Sequence, residues 1–445
     1  MTASRSARLM ALSALILVCI SCGDTFRPVA IPITPNPPDP AAFHFALVIS
    51  QNSAGTTNNP GASSRIDVSG DTNVAVAKVG LGPVHGTLTP DASRVYVANS
   101  LDDTVSSYFT ADSTTITTIS LPPGSHPNFV TTTQSDTVYV ANLGDGGGVL
   151  PSVSAITTGT NVVTRAIPVG TSPVAMTETP DGKKLYVVNQ GSGNTTAVNT
   201  VDKSVNATIA TGTSPVWAVA RSDSHRVYVL DGGSGAIFAI DTFSDTPIAP
   251  PLIVGAGANY MFYSQPQNRL YVTITSSTTH QVAVFDASVD PPAALPTIDL
   301  SSTCGTNCTV AGVTALPDGS RAYVLTYEDA ACASASDVPP CIATRVTVVK
   351  TSDNSIEKTF SVDPGTSGEV PSAAVCSSAR FRRFIAASAD SSRVYVANCD
   401  AGSTASIRTS DDTHVLDLKA PFGTSTASDG DAPPPQNPVF VIAGR

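Results

Sequence analysis

Short hydrophobic runs alternate with polar turns along most of the chain. In the stretch Asp91–Asn99, the turn residues Asp-Ala-Ser lead into Arg-Val-Tyr-Val-Ala-Asn, a run with the β-branched and aromatic content of a strand. Related stretches occur at Ser135–Asn142, Asp181–Asn189, Asp223–Asp231, Asn268–Ile274, Asp318–Thr326 and Asp390–Asn398. Their central tyrosines are about 43 residues apart over the first five copies, a period typical of a four-stranded propeller blade.

One complete repeat extends from Val169 to Ala210. Within it, Val174–Glu178 predicts an inner strand and Thr179–Gly182 a tight turn, whose Pro and Gly suit the backbone angles of turns. Three further strands are predicted at Leu185–Val188, Thr196–Val201 and Ala207–Ala210. Because the repeats contain no amphipathic helical window, the pattern predicts an all-β fold, a single β-propeller of four-stranded blades over residues 44–445.

The number of blades follows from the two ends of the repeat region. Three strand-like runs without the tyrosine motif, at Ala46–Ser50, Ser64–Val68 and Val74–Val79, predict strands two to four of a first blade. The run Gln436–Ile442 near the chain end is the expected first strand of that blade, and such closure removes exposed sheet edges. Together with seven tyrosine-containing units, this first unit predicts eight blades.

The composition limits the class of partner. Only 13% of the residues are charged, and the formal net charge is −11. A nucleic-acid surface needs a basic stripe that displaces counterions from phosphate. The sequence therefore predicts no nucleic-acid partner.

The N-terminal segment is predicted to direct export. Arg5 and Arg8 precede the apolar run Leu9–Ile20, which is short for a permanent membrane span. A small residue stands just before Cys22, so residues 1–21 resemble a bacterial lipoprotein signal peptide, which is removed before a lipidated cysteine. A plain secretory signal is the alternative.

The residues that follow predict a linker. Cys22 would become the lipidated first residue, although Cys19 stands where the lipoprotein motif usually has Leu. Residues 22–43 include six prolines, a composition that favours extended structure. We expect this lipidated, Pro-rich flexible linker to hold the propeller off a membrane.

Six cysteines remain after the signal and the lipidation site, at Cys304, Cys308, Cys332, Cys341, Cys376 and Cys399. An even number of cysteines in an exported protein favours disulfides. Six cysteines allow 15 pairings, and the spacing does not choose among them. We expect the nearest-neighbour pairing 304–308, 332–341 and 376–399, which keeps each bridge local in the chain.

Two further features recur with the repeat. An acid and a base stand three residues apart in five of the turns, as in Asp91/Arg94 and Asp181/Lys184. Because the pair repeats, we expect it to close each turn rather than to act in catalysis. Gly-x-x-Pro loops, as in Gly80–Pro83, are expected to link one blade to the next and to line a propeller face.

These repeats resemble the YVTN family of β-propeller proteins. Val-Tyr-Val-Ala-Asn occurs in three copies and Leu-Tyr-Val-Val-Asn in another, with the Pro-Asp-Gly turn and the Gly-x-x-Pro loop at a nearly fixed period. The resemblance covers about residues 44–445. It implies an exported bacterial or archaeal surface protein from a family in which many members have no assigned activity. Family members often have seven blades, so seven is the alternative to eight.

Four residues are candidates for binding at the mouth of the channel. His85 and His126 lie beside Gly-x-x-Pro loops. They are interpreted either as ligands of a haem or metal or, more commonly for such residues, as solvated loop histidines. Trp217 and Tyr260 fall on inner strands, where they form either core packing or an aromatic rim for a flat ligand. The sequence predicts no metal site and no cofactor.

One basic cluster stands out, and no catalytic set does. Arg380, Arg382 and Arg383 are interpreted either as a solvated loop or as a site for an anionic partner. The sequence contains no nucleophile elbow, and its Gly-rich stretches do not open a helix after a strand. No catalytic residue is therefore predicted.

Together these features predict a binding or scaffold protein without catalysis. We expect it to be anchored by its lipid to a membrane of the bacterial cell envelope and to bind an envelope protein or a glycan. Which membrane, and which side of it, stays open. The alternative is an exported hydrolase or lactonase of the propeller type, with a polar or metal-assisted site at the channel mouth, because propellers host many functions.

Overall fold

The computed structural model describes residues 45–52, 60–132, 136–305, 307–332, 341–364, 376–419 and 436–443. These residues form 32 strands in eight antiparallel four-stranded sheets, each of which is one propeller blade. The predicted fold class and the preferred number of blades are confirmed. The predicted signal peptide and linker lie outside the described residues.

The strands are numbered in chain order and listed by blade. Blade 1 contains β1 (Phe45–Asn52), β2 (Ala62–Asp67), β3 (Thr72–Lys78) and the last strand, β32 (Gln436–Ile442). Blades 2 to 4 contain β4 (Pro83–Leu88), β5 (Arg94–Asn99), β6 (Thr104–Phe109), β7 (Asp112–Ser120); β8 (Pro127–Thr131), β9 (Thr137–Asn142), β10 (Ser152–Thr157), β11 (Val162–Pro168); and β12 (Pro173–Glu178), β13 (Lys184–Asn189), β14 (Asn194–Asn199), β15 (Val205–Ala210).

Blades 5 to 8 follow in the same way. Blades 5 and 6 contain β16 (Pro215–Ala220), β17 (Arg226–Asp231), β18 (Ala236–Asp241), β19 (Thr246–Ile253); and β20 (Ala258–Ser264), β21 (Arg269–Thr275), β22 (His280–Asp286), β23 (Ala293–Asp299). Blades 7 and 8 contain β24 (Thr309–Ala315), β25 (Arg321–Ala330), β26 (Cys341–Lys350), β27 (Ser355–Pro364); and β28 (Arg383–Ala387), β29 (Arg393–Asn398), β30 (Ser403–Arg408), β31 (Thr413–Lys419).

The propeller has two distinct faces around its central channel. The first strands of the eight blades contact one another in a closed ring. Because neighbouring strands are antiparallel, the hairpins between first and second strands and the turns between third and fourth strands share one face, called here the hairpin face. The blade-to-blade crossovers and the loops between second and third strands share the opposite face, called the crossover face.

The last strand closes the ring. β32 pairs with β1, with Val441 opposite Val48 and Phe440 opposite Ile49. The side chains of Val439, Phe440 and Val441 are buried. The predicted completion of the first blade by the chain end is confirmed, and it leaves no first strand without a partner on either side.

The recurring acid and base are predicted to close each turn together. In the structure they make separate contacts. Asp181 stays in its own turn, where it accepts hydrogen bonds from the Thr179 hydroxyl at 2.7 Å and from the backbone N–H of Lys183 at 3.2 Å. Lys184 reaches the turn between the third and fourth strands of blade 5, where its ammonium lies 2.7 Å from Asp245.

The motif tyrosine contacts the same turn of the next blade. The Tyr186 hydroxyl donates a hydrogen bond of 2.5 Å to Asp245, the acid that pairs with Lys184. The equivalent contacts of other blades are Arg94 and Tyr96 with Asn161, Arg321 and Tyr323 with Asp412, and Arg393 and Tyr395 with Asp71. The prediction that the acid and base close the turn is thus wrong, because the base and the tyrosine together join successive blades.

The three disulfides pair neighbouring cysteines, as predicted. They join Cys304 to Cys308, Cys332 to Cys341 and Cys376 to Cys399. All six cysteines lie in, or at the edge of, crossovers and second-to-third-strand loops, which places the bridges on the crossover face of blades 6 to 8. The part of the chain that the structure describes contains no helix long and apolar enough to span a membrane.

Candidate functional site

Six aromatic side chains form a layer across the central channel, called here the aromatic girdle. Each lies on the first strand of its blade, opposite the residue that follows Tyr-Val, or its equivalent, on the second strand. The girdle consists of His85, Phe129, Trp217, Tyr260, Phe384 and Phe440. The same position holds Ala175 in blade 4 and Gly312 in blade 7, which leaves two gaps in the layer.

The girdle side chains contact one another in a closed cycle. His85 stacks on Phe129 with ring centroids 3.9 Å apart and lies 4.1 Å from Phe440. Across the gap at Ala175, Phe129 and Trp217 meet edge to face at 5.9 Å. The remaining centroid distances are 4.9 Å from Trp217 to Tyr260, 6.2 Å from Tyr260 to Phe384 and 4.3 Å from Phe384 to Phe440. Tilted and edge-on pairs are favoured by the charge distribution of aromatic rings, so the girdle is a packed layer.

The segment before β28 adds Phe381 and Arg380 to this layer. Phe381 lies 5.0 Å from Phe384, 5.7 Å from Phe440 and 5.8 Å from Trp217 between ring centroids. Cys376, four residues before Arg380, is bonded to Cys399. The disulfide therefore holds the segment that enters the channel.

Arg380 occupies the gap in blade 4. Its guanidinium carbon lies 5.3 Å from the ring centroid of Phe129, 5.4 Å from that of Trp217 and 5.1 Å from that of Phe381. One of its N–H groups donates a hydrogen bond to the carbonyl of Val174. Burial among the rings lowers the pKa of Arg380 to about 9, which leaves the guanidinium charged at neutral pH.

The other two arginines of the predicted basic cluster are paired inside the protein. Arg382 makes two hydrogen bonds of 2.9 Å to Asp400. Arg383 is fully buried, donates to Asp400 and to the Thr344 hydroxyl, and lies 3.8 Å from Asp363. Although burial opposes ionisation, the two guanidinium groups hold the pKa of Asp400 below its usual range. The solvated-loop interpretation is wrong for Arg383.

His85 is a neutral member of the girdle. Burial, together with the nearby Arg380 cation, lowers the pKa of His85 well below its usual value. Its Nδ1 faces the backbone N–H of Val130 at 3.5 Å. An uncharged imidazole stacked between Phe129 and Phe440 serves here as a flat packing ring.

Toward the hairpin face, the channel beneath the girdle opens into two neighbouring cavities, called together the channel cup. Their volumes are about 320 and 360 Å³, and Tyr260, Phe262 and Tyr263 line both. Thr314, Phe384 and Ala386 complete the first cavity, and Thr177, Trp217 and Val219 the second. The first lies beside blade 7, where Gly312 places no side chain between Tyr260 and Phe384. The cup therefore offers aromatic faces and hydroxyl groups.

The structure brings together three of the four candidate channel residues. His85, Trp217 and Tyr260 belong to the girdle and pack in the core. Trp217 and Tyr260 also line the cup. His126 lies apart on the crossover face, with its side chain 44% exposed and its Nδ1 3.1 Å from the carbonyl of Ser100. The structure does not group the two histidines as a ligand pair.

Sequence reasoning missed half of the girdle, although a signal was present. Phe129, Phe384, Phe440, Arg380 and Phe381 were not assigned to a channel site. His85, Phe129, Trp217 and Phe440 each follow a proline by two residues, at Pro83, Pro127, Pro215 and Pro438. That spacing identifies the shared strand position once the blades are aligned.

The hydrolase alternative predicts carboxylates or histidines that converge at the channel mouth. Within the ranges that the structure describes, no three His, Cys, Asp or Glu side chains are grouped closely enough to hold a metal ion. Glu178 is the acidic residue among those that line the cup, and it is buried. The described residues present mainly aromatic rings and hydroxyl groups to the cup.

Comparisons with known proteins identify the fold. Neither the protein-family models nor the curated proteins include a match to the sequence. Among solved structures, the chain is similar to dihydro-heme d1 dehydrogenase NirN in complex with DHE, at TM-score 0.62 and 11% identity over 91% of this chain and 75% of that chain. It is also similar to apo AztD from Citrobacter koseri, at TM-score 0.60 and 11% identity over 90% of this chain and 98% of that chain.

A third similar structure is the periplasmic gluconolactonase PpgL of Pseudomonas aeruginosa. The TM-score is 0.55 and the identity 14%, over 90% of this chain and 99% of that chain. At such low identities the similarity shows the propeller fold alone, because one fold carries many unrelated activities. The residues of its own channel, rather than its fold, indicate the function of this chain.

Proposed function

We propose that this chain is an exported binding protein that holds a small ring-containing ligand in the channel cup. The observation that carries the proposal is the aromatic lining of the cup by Trp217, Tyr260 and Phe262 around cavities of about 320 and 360 Å³. Ligand sites are typically concave and largely apolar, with a few polar groups that orient the ligand. The hydroxyls of Thr177 and Thr314 supply such polar groups.

The surrounding structure supports a preformed site. The girdle packs tightly above the cup, and the first strands of blades 4 to 8 line it. A ligand that enters the cup has few side chains to immobilise, which lowers the entropic cost of binding. Stacking on a ring such as that of Trp217 adds a geometric preference for flat ligands.

The first prediction uses Trp217, the single tryptophan of the chain. We expect the neutral flat probe N-phenyl-1-naphthylamine to bind at one site and to quench Trp217 emission by energy transfer while its own emission rises. Ala386→Phe places a ring in the cup and should weaken this binding by at least about tenfold, because the probe and the new ring compete for one space. Titration followed by fluorescence measures both effects.

A matched variant controls for the added ring. Ala294 is exposed on the outer strand β23, so Ala294→Phe adds the same side chain away from the channel and should leave the affinity unchanged. Equal probe affinity in Ala386→Phe and the parent protein, together with binding that shows no energy transfer from Trp217, would place the probe outside both cavities of the cup and contradict the proposal.

Lactone hydrolysis is the second candidate function. The similar structure PpgL is named a gluconolactonase, and the cup is large enough for a sugar lactone. Incubation with glucono-1,5-lactone distinguishes the two candidates. Ring opening at the spontaneous rate supports binding without catalysis, whereas acceleration that disappears in Ala386→Phe supports the enzyme.

We also propose that this binding protein is a lipid-anchored, YVTN-like propeller of the bacterial cell envelope, where it meets an envelope protein or a glycan. Three disulfides are typical of an oxidising, extracytoplasmic compartment. The charged and apolar pattern of residues 1–21 and the cysteine that follows support the anchor.

The second prediction tests the anchor. Cys22→Ala removes the thiol that would carry the lipid, so the protein should move from the membrane fraction to the soluble fraction of the cell envelope. Cys19→Ala lies in the segment that is removed and should leave the protein with the membranes. Immunoblots of the two fractions measure the distribution, and identical fractionation of Cys22→Ala and the parent protein would refute lipidation.

A further inference from the structure

We propose that the ligand of the channel cup carries one anionic group, a carboxylate or a similar oxyanion, and that Arg380 receives it. The inference rests on the proposed function, because Trp217 both lines the cup and contacts Arg380. It specifies the charge of a ligand of which the cup lining indicates only that it contains a ring.

The charge of Arg380 has no acidic partner in the described ranges. Arg382 and Arg383 pair with Asp400, whereas no carboxylate of the described residues lies within 4.0 Å of Arg380. The described acceptor of Arg380 is the carbonyl of Val174. A guanidinium group has five N–H donors in a planar fork, so one carbonyl leaves most of them for a ligand.

The surroundings of Arg380 strengthen its interaction with an anion. Rings of Phe129, Trp217 and Phe381 lie within 5.4 Å of the guanidinium carbon and displace water from its faces. Two charges attract each other more strongly in such an environment than in bulk water. The side chain is mostly buried but keeps some exposed surface, through which a small anion reaches the guanidinium.

The cup and the cation lie at a distance that one small ligand spans. Val174, whose carbonyl binds Arg380, and Thr177, which lines the cup, belong to the same strand, β12. Three residues of a strand extend about 10 Å, the length of a two-ring compound with an acidic substituent. Glu178 also lines the cup, so a second anionic group on the ligand would meet a carboxyl group.

The overall negative charge of the protein means that only a local cation such as Arg380 can make the cup prefer an anionic ligand. With a formal net charge of −11, the protein as a whole repels anions. A preference of the cup for an anionic over a neutral ligand of the same shape therefore requires a local cation. Arg380 is the cation that contacts the ring of Trp217.

The test compares two probes that differ by one charge. 1-Anilinonaphthalene-8-sulfonate is the sulfonated form of N-phenyl-1-naphthylamine, and we expect the parent protein to bind the sulfonate more tightly. Arg380→Gln should weaken sulfonate binding about ten- to hundredfold, the usual range for a charged hydrogen-bonded contact, and should change the affinity for the neutral probe less than about twofold. Energy transfer from Trp217, together with weaker binding of both probes to Ala386→Phe, places each probe in the channel.

Two matched variants separate recognition from packing. Arg165 is exposed on β11, so Arg165→Gln removes the same charge outside the channel and should leave both affinities unchanged. Arg380→Lys keeps the charge but loses the planar fork, so it should retain part of the preference for the sulfonate. If Arg380→Gln fails to fold, as judged by its unfolding midpoint, the affinities for the two probes are compared between Arg380→Lys and the parent protein instead.

Each outcome has a distinct meaning. Failure of the parent protein to bind either probe would overturn the proposed function and this inference with it. Binding of the neutral probe without preference for the sulfonate would overturn the inference alone. Equal loss of both probes in Arg380→Gln would show that Arg380 only packs against the girdle, and selective loss of the sulfonate supports the assignment.

Discussion

A chain that ends at Pro435 is expected not to form a cooperatively folded propeller. Such a chain lacks β32, the strand that supplies the buried side chains of Val439, Phe440 and Val441. Burial of three such side chains contributes about 5–8 kcal/mol, comparable with the net stability of a whole domain, about 5–15 kcal/mol. The truncation also removes a girdle ring and exposes the edge of β1.

Urea unfolding followed by Trp217 emission, together with size-exclusion chromatography, measures this result. A chain that ends at Ala443 keeps β32 and should unfold as the full chain does. A synthetic peptide of residues 436–445 should restore cooperative unfolding to the truncated chain, whereas the same peptide with Phe440→Asp should not, because the girdle position is apolar. An unchanged unfolding midpoint in the chain that ends at Pro435 would show that ring closure does not depend on this strand.

Replacement of Arg383 should cause the largest loss of stability from a single substitution near the channel. In Arg383→Leu, Asp400 loses one of its two guanidinium partners, and Asp363 loses the cation 3.8 Å away. Removal of one member of a buried ion pair typically costs about 3–5 kcal/mol, because the remaining charge stays buried. Urea unfolding should show the loss as a lower midpoint with little change in the slope of the transition.

The pH dependence of this loss follows from Asp400. Its lowered pKa means that the ionised carboxylate contributes stability above the usual aspartate value of about 3.9, a contribution that disappears as the pH falls through the lower folded value. The difference between Arg383→Leu and the parent protein should therefore narrow below about pH 4. A difference that stays constant into strong acid would assign the loss to packing instead.

An exposed arginine of the same blade provides the control. Arg408 pairs with Asp411 on the surface of blade 8, with both side chains 44% exposed. Water screens such a pair, so Arg408→Gln should leave the unfolding midpoint nearly unchanged. If Arg383→Leu lowered the midpoint no more than Arg408→Gln does, the buried ion pairs would not stabilise this blade.

Much of the fold could be predicted because its signals are local. The strand of each repeat is visible in about six residues around the motif tyrosine, and the turn before it in four. The pairing of Cys304 with Cys308 joins residues of one loop. Even the closing strand is visible as a hydrophobic run at the chain end. At the other end of the repeat region, the first unit lacks an inner strand of its own.

The acid and base of the repeat show where this reasoning stops. Asp181 and Lys184 stand three residues apart, so a contact within the turn is the simplest expectation. In the folded chain, Lys184 and Tyr186 instead share Asp245, about 60 residues further along. The contact partner of Lys184 depends on the direction in which its side chain leaves the sheet. The three-residue spacing in the sequence contains no information about that direction.

The sequence by itself determined the strand content and the repeat period of this protein, because each depends on residues close together in the chain, and it favoured eight blades and local disulfides. Only the tertiary structure decided that six rings meet in one girdle, that a cup opens beneath it and that Arg380 enters the gap at Ala175 without an acidic partner in the described ranges. Those contacts join residues of different blades. Their distances are set by closure of the ring, which brings every first strand to the same axis.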